Sequence, residues 1–141
     1  MMMMALALAL QSGNHRVNAV ETAYRAALGE AVSCQMAAAY DIVAGLKPEE
    51  LSREPAAIKP IVMSITARCR SESFRHFDAI RAKVALDYPG MPKKREAASN
   101  AAIEGVAVEM AKQAIGWSLT AVDARQKLLS QAPAPTSGSK P

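Results

Sequence analysis

Cysteine and histidine are the side chains in this chain best suited to chemistry, and there are only two of each: Cys34, Cys69, His15 and His76. A cysteine nucleophile needs a base beside it. His76 lies two helical turns from Cys69, too far along a helix for direct contact. Neither cysteine sits in a Cys-x-x-Cys motif, so thiol–disulfide exchange chemistry is not indicated. Glu72 and His76 are four apart and share a helix face, as a metal pair or an acid–base pair would. A carboxylate-bridged di-iron bundle needs Glu-x-x-His at a spacing of three, on two helices, with two further Glu. Here the spacing is four and there is no second copy, so no metal site is expected. Glu72 is within reach of Arg68, Arg75 and His76, and a surface ion-pair cluster is the expectation. His15 has no Cys, Asp or second His nearby and reads as an uninvolved surface histidine. There is no Gly-rich phosphate loop, no Gly-x-Ser-x-Gly and no His-Glu-x-x-His. The chain is not expected to be an enzyme, and no cofactor is indicated.

Charge is the second resource. The net charge of +4 is unevenly placed. Residues 1–67 carry 5 basic and 6 acidic side chains, residues 68–95 carry 8 and 3, and residues 96–141 carry 4 and 4. Arg68, Arg75, Lys93, Lys94 and Arg95 are therefore the candidates for meeting an anionic partner or membrane surface. At 100° per residue Arg68, Arg75 and Lys83 share a side, while Arg70 and Arg81 point roughly opposite. That scatter argues against one stripe tracking a nucleic-acid groove, and few aromatics are interleaved for stacking on bases.

The elements that must carry these residues are helices. Half of the chain is hydrophobic but only 4% is aromatic. Much of the apolar content is alanine, which favours helix. No stretch alternates apolar and polar residues as a strand would. Turn signals cluster at Gly45, Pro48, Ser52 and Pro55, so the chain reverses near Leu51. A first helix runs from Ala19 to about Leu46, with Asn18 as its cap. Its row Val20, Tyr24, Ala27, Ala31, Cys34, Ala38, Ile42 has the three-and-four spacing of one helix face. A second row, Leu28, Val32, Met36, Ala39 and Val43, widens that surface and makes this the central helix. A second helix runs from Pro55 to about Tyr88, ended by Pro89 and Gly90, with the row Ile58, Val62, Ile65, Cys69, Ser73, Phe77, Ile80, Val84. Pro60 should kink or restart it.

Twelve residues separate Cys34 from Leu46 and fourteen separate Pro55 from Cys69. At the α-helical rise the two cysteines stand roughly 18 and 21 Å from the bend. They sit at about the same height on antiparallel legs, as a Cα separation of about 5.5 Å requires. An interhelical disulfide is expected; the alternative is two buried free thiols. A bridge favours an oxidising compartment, and unpaired thiols would suit the cytosol.

After a basic loop at residues 89–95, a third helix runs from about Lys94 to Gln131. One apolar row is Ile103, Ala107, Met110, Ala114, Trp117, Ala121, Leu128, with Trp117 as a core anchor. A second is Val108, Ala111, Ile115, Leu119, Val122, Leu129. Gly105 and Gly116 mark either close packing or a break. Residues 132–141, rich in Pro and small residues, read as a disordered tail. At the other end Met1–Leu10 is an uninterrupted apolar run. Ala5-Leu6-Ala7 and Ala7-Leu8-Ala9 have the small-x-small form of a signal peptidase site, although no Lys or Arg precedes them. The organisation is thus a signal-like run and flexible lead-in over 1–18, a single helical domain over 19–131 and a tail over 132–141. The fold class is all-α: a long antiparallel hairpin with a third packed helix, resembling a three-helix bundle.

Tyr24, Cys34, Glu54-Pro55-Ala56-Ala57-Ile58 and Cys69-Arg70-Ser71-Glu72 together resemble a loose group of small, uncharacterised exported two-cysteine helical proteins of proteobacteria. The likeness covers roughly residues 20–80 and implies an exported helical protein with a structural disulfide, without assigning an activity. The expectation is a non-catalytic structural or interaction protein of the bacterial envelope or periplasm, or a secreted one. It would engage a protein partner through a helix face, assemble with itself, or meet an anionic membrane surface. The alternative is a cytoplasmic helical adaptor or nucleic-acid-associated protein with reduced cysteines.

Overall fold

The computed structural model describes the backbone of residues 2–133 and the side chains of residues 13–133. The side chains of the whole signal-like run Met1–Leu10, and all but Ala132 and Pro133 of the expected tail, lie outside the described residues. The protein is all-α. Among the described residues four helices follow one another as α1 (Met2–Ala44), α2 (Pro55–Arg68), α3 (Arg70–Asp87) and α4 (Pro92–Gln131), with a 3-10 turn at Pro48–Glu50 between α1 and α2.

Three boundaries differ from the sequence reading, and the last of them is that α4 starts at Pro92, inside the expected basic loop over residues 89–95. Helix α1 begins at Met2 and not at Ala19, so residues 11–18 are helical and not a flexible lead-in. The one glycine there, Gly13, costs only about 1 kcal/mol, too little to stop a helix whose flanks are good formers. The second predicted helix is divided, but at Cys69 and not at Pro60. Pro60 is the sixth residue of α2. Its missing N–H leaves only the Ala56 carbonyl without its intrahelical donor, and Ala56 is exposed, so water can serve it. At Cys69 the backbone leaves the helical region, with φ −97° and ψ 19°. The hydrogen-bond ladder continues through the bend. The Cys69 N–H donates to Ile65 O at 2.9 Å, and the Cys69 carbonyl accepts from the Ser73 N–H at 3.0 Å and from Ser73 Oγ at 2.9 Å.

The connections follow local chemistry. Pro48 opens the 3-10 turn, where the Glu50 carboxylate accepts the Lys47 N–H at 2.6 Å. Pro55 takes the first position of α2, where its fixed φ suits a helix and no donor is missed. Between α3 and α4, Tyr88-Pro89-Gly90-Met91 forms a turn closed by Met91 N–H to Tyr88 O at 3.3 Å. Gly90 has φ +70°, which a proline-led turn of this kind requires of its third residue. The end of α4 holds the first connection in place: Arg125 donates to Leu46 O at 3.0 Å, Gln126 to Leu51 O at 3.1 Å, and Arg53 pairs with Asp123.

Helix α1 packs against α2, α3 and α4, and α4 in turn packs against α2 and α3. The core is built from small and medium side chains: Ala38, Ala39 and Val43 of α1, Leu51, Ile58, Ile61, Ile65 and Cys69, and Ala114, Ala121 and Val122 of α4. Trp117 is half-buried at its edge and is not a central anchor. Of the second row expected on α4, Val108, Ile115 and Leu129 are exposed and only Val122 is fully buried. Ser99, Ser118 and the alanines do the packing there, with Ser118 Oγ bonded to Ala114 O at 2.7 Å. Gly105 and Gly116 lie inside an unbroken α4, and a Cβ at either would meet nothing within 4 Å. They mark neither a break nor a close approach.

Cys34 and Cys69 are joined by a disulfide with a Cα separation of 5.8 Å and a sequence separation of 35. Closing a loop of that length removes chain entropy from the unfolded state worth about 3–4 kcal/mol. Reduction, or Cys34→Ser with Cys69→Ser, is expected to lower stability by about that amount, read as a drop in thermal midpoint by circular dichroism. Gly105→Ala fills open space on a helix and is expected to add about 0.5–1 kcal/mol, measured by urea unfolding.

Candidate functional site

The basic candidates do not form one patch. Arg68, in the last turn of α2, pairs with Asp41 of α1. Arg75, on α3, sits 3.4 Å from Glu30 of α1 and 3.4 Å from Glu72 on its own helix. Lys83 completes the series at 3.0 Å from Glu21 of α1. Three of the five cations in residues 68–83 are thus matched to acids at successive heights along the antiparallel α1. Lys83 first, and then Arg25, hold the Glu21 carboxyl below the usual carboxylate range. These are exposed pairs, screened by salt and individually weak. Lys93, Lys94 and Arg95 lie in the first turn of α4, beyond the far end of α3. An 18-residue helix such as α3 is about 27 Å long, and it separates this trio from Arg68. Lys93 and Lys94 are exposed and have no ion pair among the described residues, while Arg95 is partly buried. Cations there oppose the helix dipole and add to the positive potential of that end.

The Glu72–His76 cluster is not the surface arrangement expected. His76 is 1% exposed, against the ring of Tyr24 with centroids 5.5 Å apart, and Lys83 Nζ lies 4.3 Å from the Tyr24 centroid on α1. Both His76 ring nitrogens are buried without a hydrogen-bond partner, as is Glu72 Oε2. Arg68 turns to Asp41, so of the proposed Glu72 partners only Arg75 makes the contact. The spacing 69, 73, 76, 80 already places His76 on the inward row, a signal outweighed by its polarity. Among the described residues no cluster of three His, Cys, Asp or Glu could hold a metal ion.

The sequence reading missed a groove. Between α2, the first turns of α3 and the middle of α4 lies a cavity of about 540 Å³, walled by Val62, Met63, Phe74, Phe77, Met110 and their neighbours. A second of about 390 Å³ continues it between α2 and α4, sharing Val62 and Met63 and reaching Ile115 and Leu119. Gln35 of α1 lines the larger compartment and is 4% exposed. Its Nε2 donates to Met110 O at 3.2 Å, and its Oε1 is buried with no donor. The signal available was a lone amide inside the apolar face of α1, next to Cys34. Arg70 stands at the groove beside Phe74, its guanidinium 5.3 Å from that ring's centroid.

With this geometry in hand, the chain was compared with known proteins: no family model, no curated protein and no solved structure matches it.

Burial without partners pushes the His76 pKa below its ordinary value of 6.5. The unfolded chain therefore takes up the proton first, and the native state loses stability as pH falls through and below about 6.5. One such proton contributes a slope of at most about 1.4 kcal/mol per pH unit. In urea melts between pH 7.5 and 5, His76→Leu should remove that part of the decline; an unchanged slope would assign it elsewhere.

Proposed function

We propose that the chain is a non-catalytic structural or interaction protein of the bacterial envelope or periplasm, or a secreted one. Its scaffold is a disulfide-pinned antiparallel pair, α1 against α2 and α3, with the long α4 packed along it. The observation that carries this reading is the bond between Cys34 and Cys69, which ties α1 to the junction of α2 and α3. Bridges of this kind persist in oxidising compartments. The likeness of residues 20–80 to exported two-cysteine helical proteins supports the same reading, as does the apolar run Met1–Leu10 with its small-x-small sites. Among the described residues no helix is long and apolar enough to cross a membrane.

A binding role is supported by what the fold leaves unfilled: the groove along α2 and α4, and the exposed Lys93 and Lys94 at the start of α4. With Arg95 these two lysines remain the stronger part of the anionic-partner set. Arg68 and Arg75 would have to leave Asp41 and Glu30 to join them.

Intact mass on protein isolated from its native source, with the compartment recorded, tests the reading. A mass two hydrogens below that of the reduced chain, with no alkylation until reductant is added, is expected from an envelope or secreted fraction, with the first residues removed. Two freely alkylated thiols on protein from the cytosol would replace this reading with the cytoplasmic adaptor.

A further inference from the structure

We propose that the groove between α2, α3 and α4 binds an acyl-chain anion that carries a hydrogen-bond donor, such as a hydroxylated or amide-linked fatty acid. This deepens the reading of the chain as a binding protein and does not depend on its compartment. Size comes first. Compartments of about 540 and 390 Å³ that meet at Val62 and Met63 fall in the range of small-molecule sites, roughly 300–1,000 Å³. Their walls are mostly methionine, phenylalanine and aliphatic side chains, with Thr66 and Ser73 among them, and methionine adapts to irregular apolar ligands. Met63 and Phe74 are 62% and 51% exposed, so a bound chain would remove apolar surface now facing water.

Charge selects the head group. The cations lining the two compartments are Arg53, Lys59 and Arg70, and no carboxylate lines either. Arg53 is paired with Asp123, but Lys59 and Arg70 have no ion pair among the described residues. Arg70 stands at the larger compartment, where an acid group would be met by a charge-assisted bond.

Gln35 supplies the third constraint. Its Nε2 is committed to Met110 O, so its buried Oε1 is an acceptor with no donor. An unmet buried acceptor is costly, and a ligand N–H or O–H reaching it relieves that cost. A docked protein helix brings backbone donors already used in its own ladder. A slender chain with a hydroxyl or amide fits this acceptor better.

Fluorescence titration of the oxidised protein with 11-(dansylamino)undecanoate tests the proposal, because that probe carries an alkyl chain, a sulfonamide N–H and a carboxylate. Saturable one-to-one binding with a blue shift is expected. Stearate and, more strongly, 12-hydroxystearate should displace the probe, and octadecyltrimethylammonium should not. Arg70→Glu, on an exposed side chain, is expected to weaken binding roughly tenfold or more. Gln35→Leu, checked for folding by circular dichroism, should remove the preference for the hydroxylated chain. Absence of saturable binding, equal displacement by the cationic amphiphile, or Arg70→Glu without effect would each overturn the proposal. So would a concentration-dependent dimer in sedimentation that Met63→Glu dissociates, since the groove would then belong to a second copy. Because the titration uses protein with its disulfide intact, a negative result leaves the compartment reading standing, and that reading fails only by the mass experiment.

Discussion

The bridge between Cys34 and Cys69 is the constraint on which the rest of the bundle leans. It ties the last third of α1 to the single residue between α2 and α3, so one covalent link fixes the height of three helices. Such a link matters most where the core is thin, and this core is thin by composition. Its members are largely alanine, valine and isoleucine, and the largest fully buried side chains include a histidine and a serine beside Ile65. Each buried alanine removes little apolar area from water, so the hydrophobic contribution per residue is small. Constraining the unfolded chain supplies what apolar burial does not.

Around that pin, charge sets direction. Arg68, Arg75 and Lys83 meet Asp41, Glu30 and Glu21 in antiparallel order along α1. None of these exposed pairs is strong, but a slipped register would set cations against the wrong neighbours. The excess of positive charge in residues 68–95 reads differently once the partners are known. In the stretch up to Lys83, Arg68, Arg75 and Lys83 complement α1, whereas Arg70 and the two lysines at the start of α4 are exposed with no ion pair among the described residues.

Much of this was legible from residue spacing, and the misses share a cause. The row through Ala27, Ala31 and Ala38 is buried, as are Ile58, Ile65, Cys69 and Ile80, because three-and-four spacing of apolar residues reports a buried face directly. The cysteines were placed by the rise per residue, the position of the bend and their membership of the apolar rows. Pro60 misled because its cost depends on whether the orphaned carbonyl is exposed, which depends on tertiary placement. On α4 the apolar residues outnumber the buried positions, so pattern alone chose Val108 and Ile115 where packing chose Ser99 and Ser118. His76 was assigned to the surface and Gln35 passed over because polarity argues for the surface, whereas both are enclosed by their neighbours.

Those two polar residues mark how the bundle divides its interior. Ala39 of α1 and Ala114 and Ser118 of α4 are almost wholly buried, so small side chains fill that part of the interior. Where α2 and α3 face α4, the side chains are Val62, Met63, Phe74, Phe77, Met110 and Ile115, whose bulk holds the helices apart and leaves a groove between them. Gln35 sits where the two regimes meet, one end of its amide used by Met110 and the other unmatched. A core assembled for stability alone would place leucine there. An amide at that point lowers stability unless something else completes its hydrogen bonding, and the groove it lines is where that partner can enter.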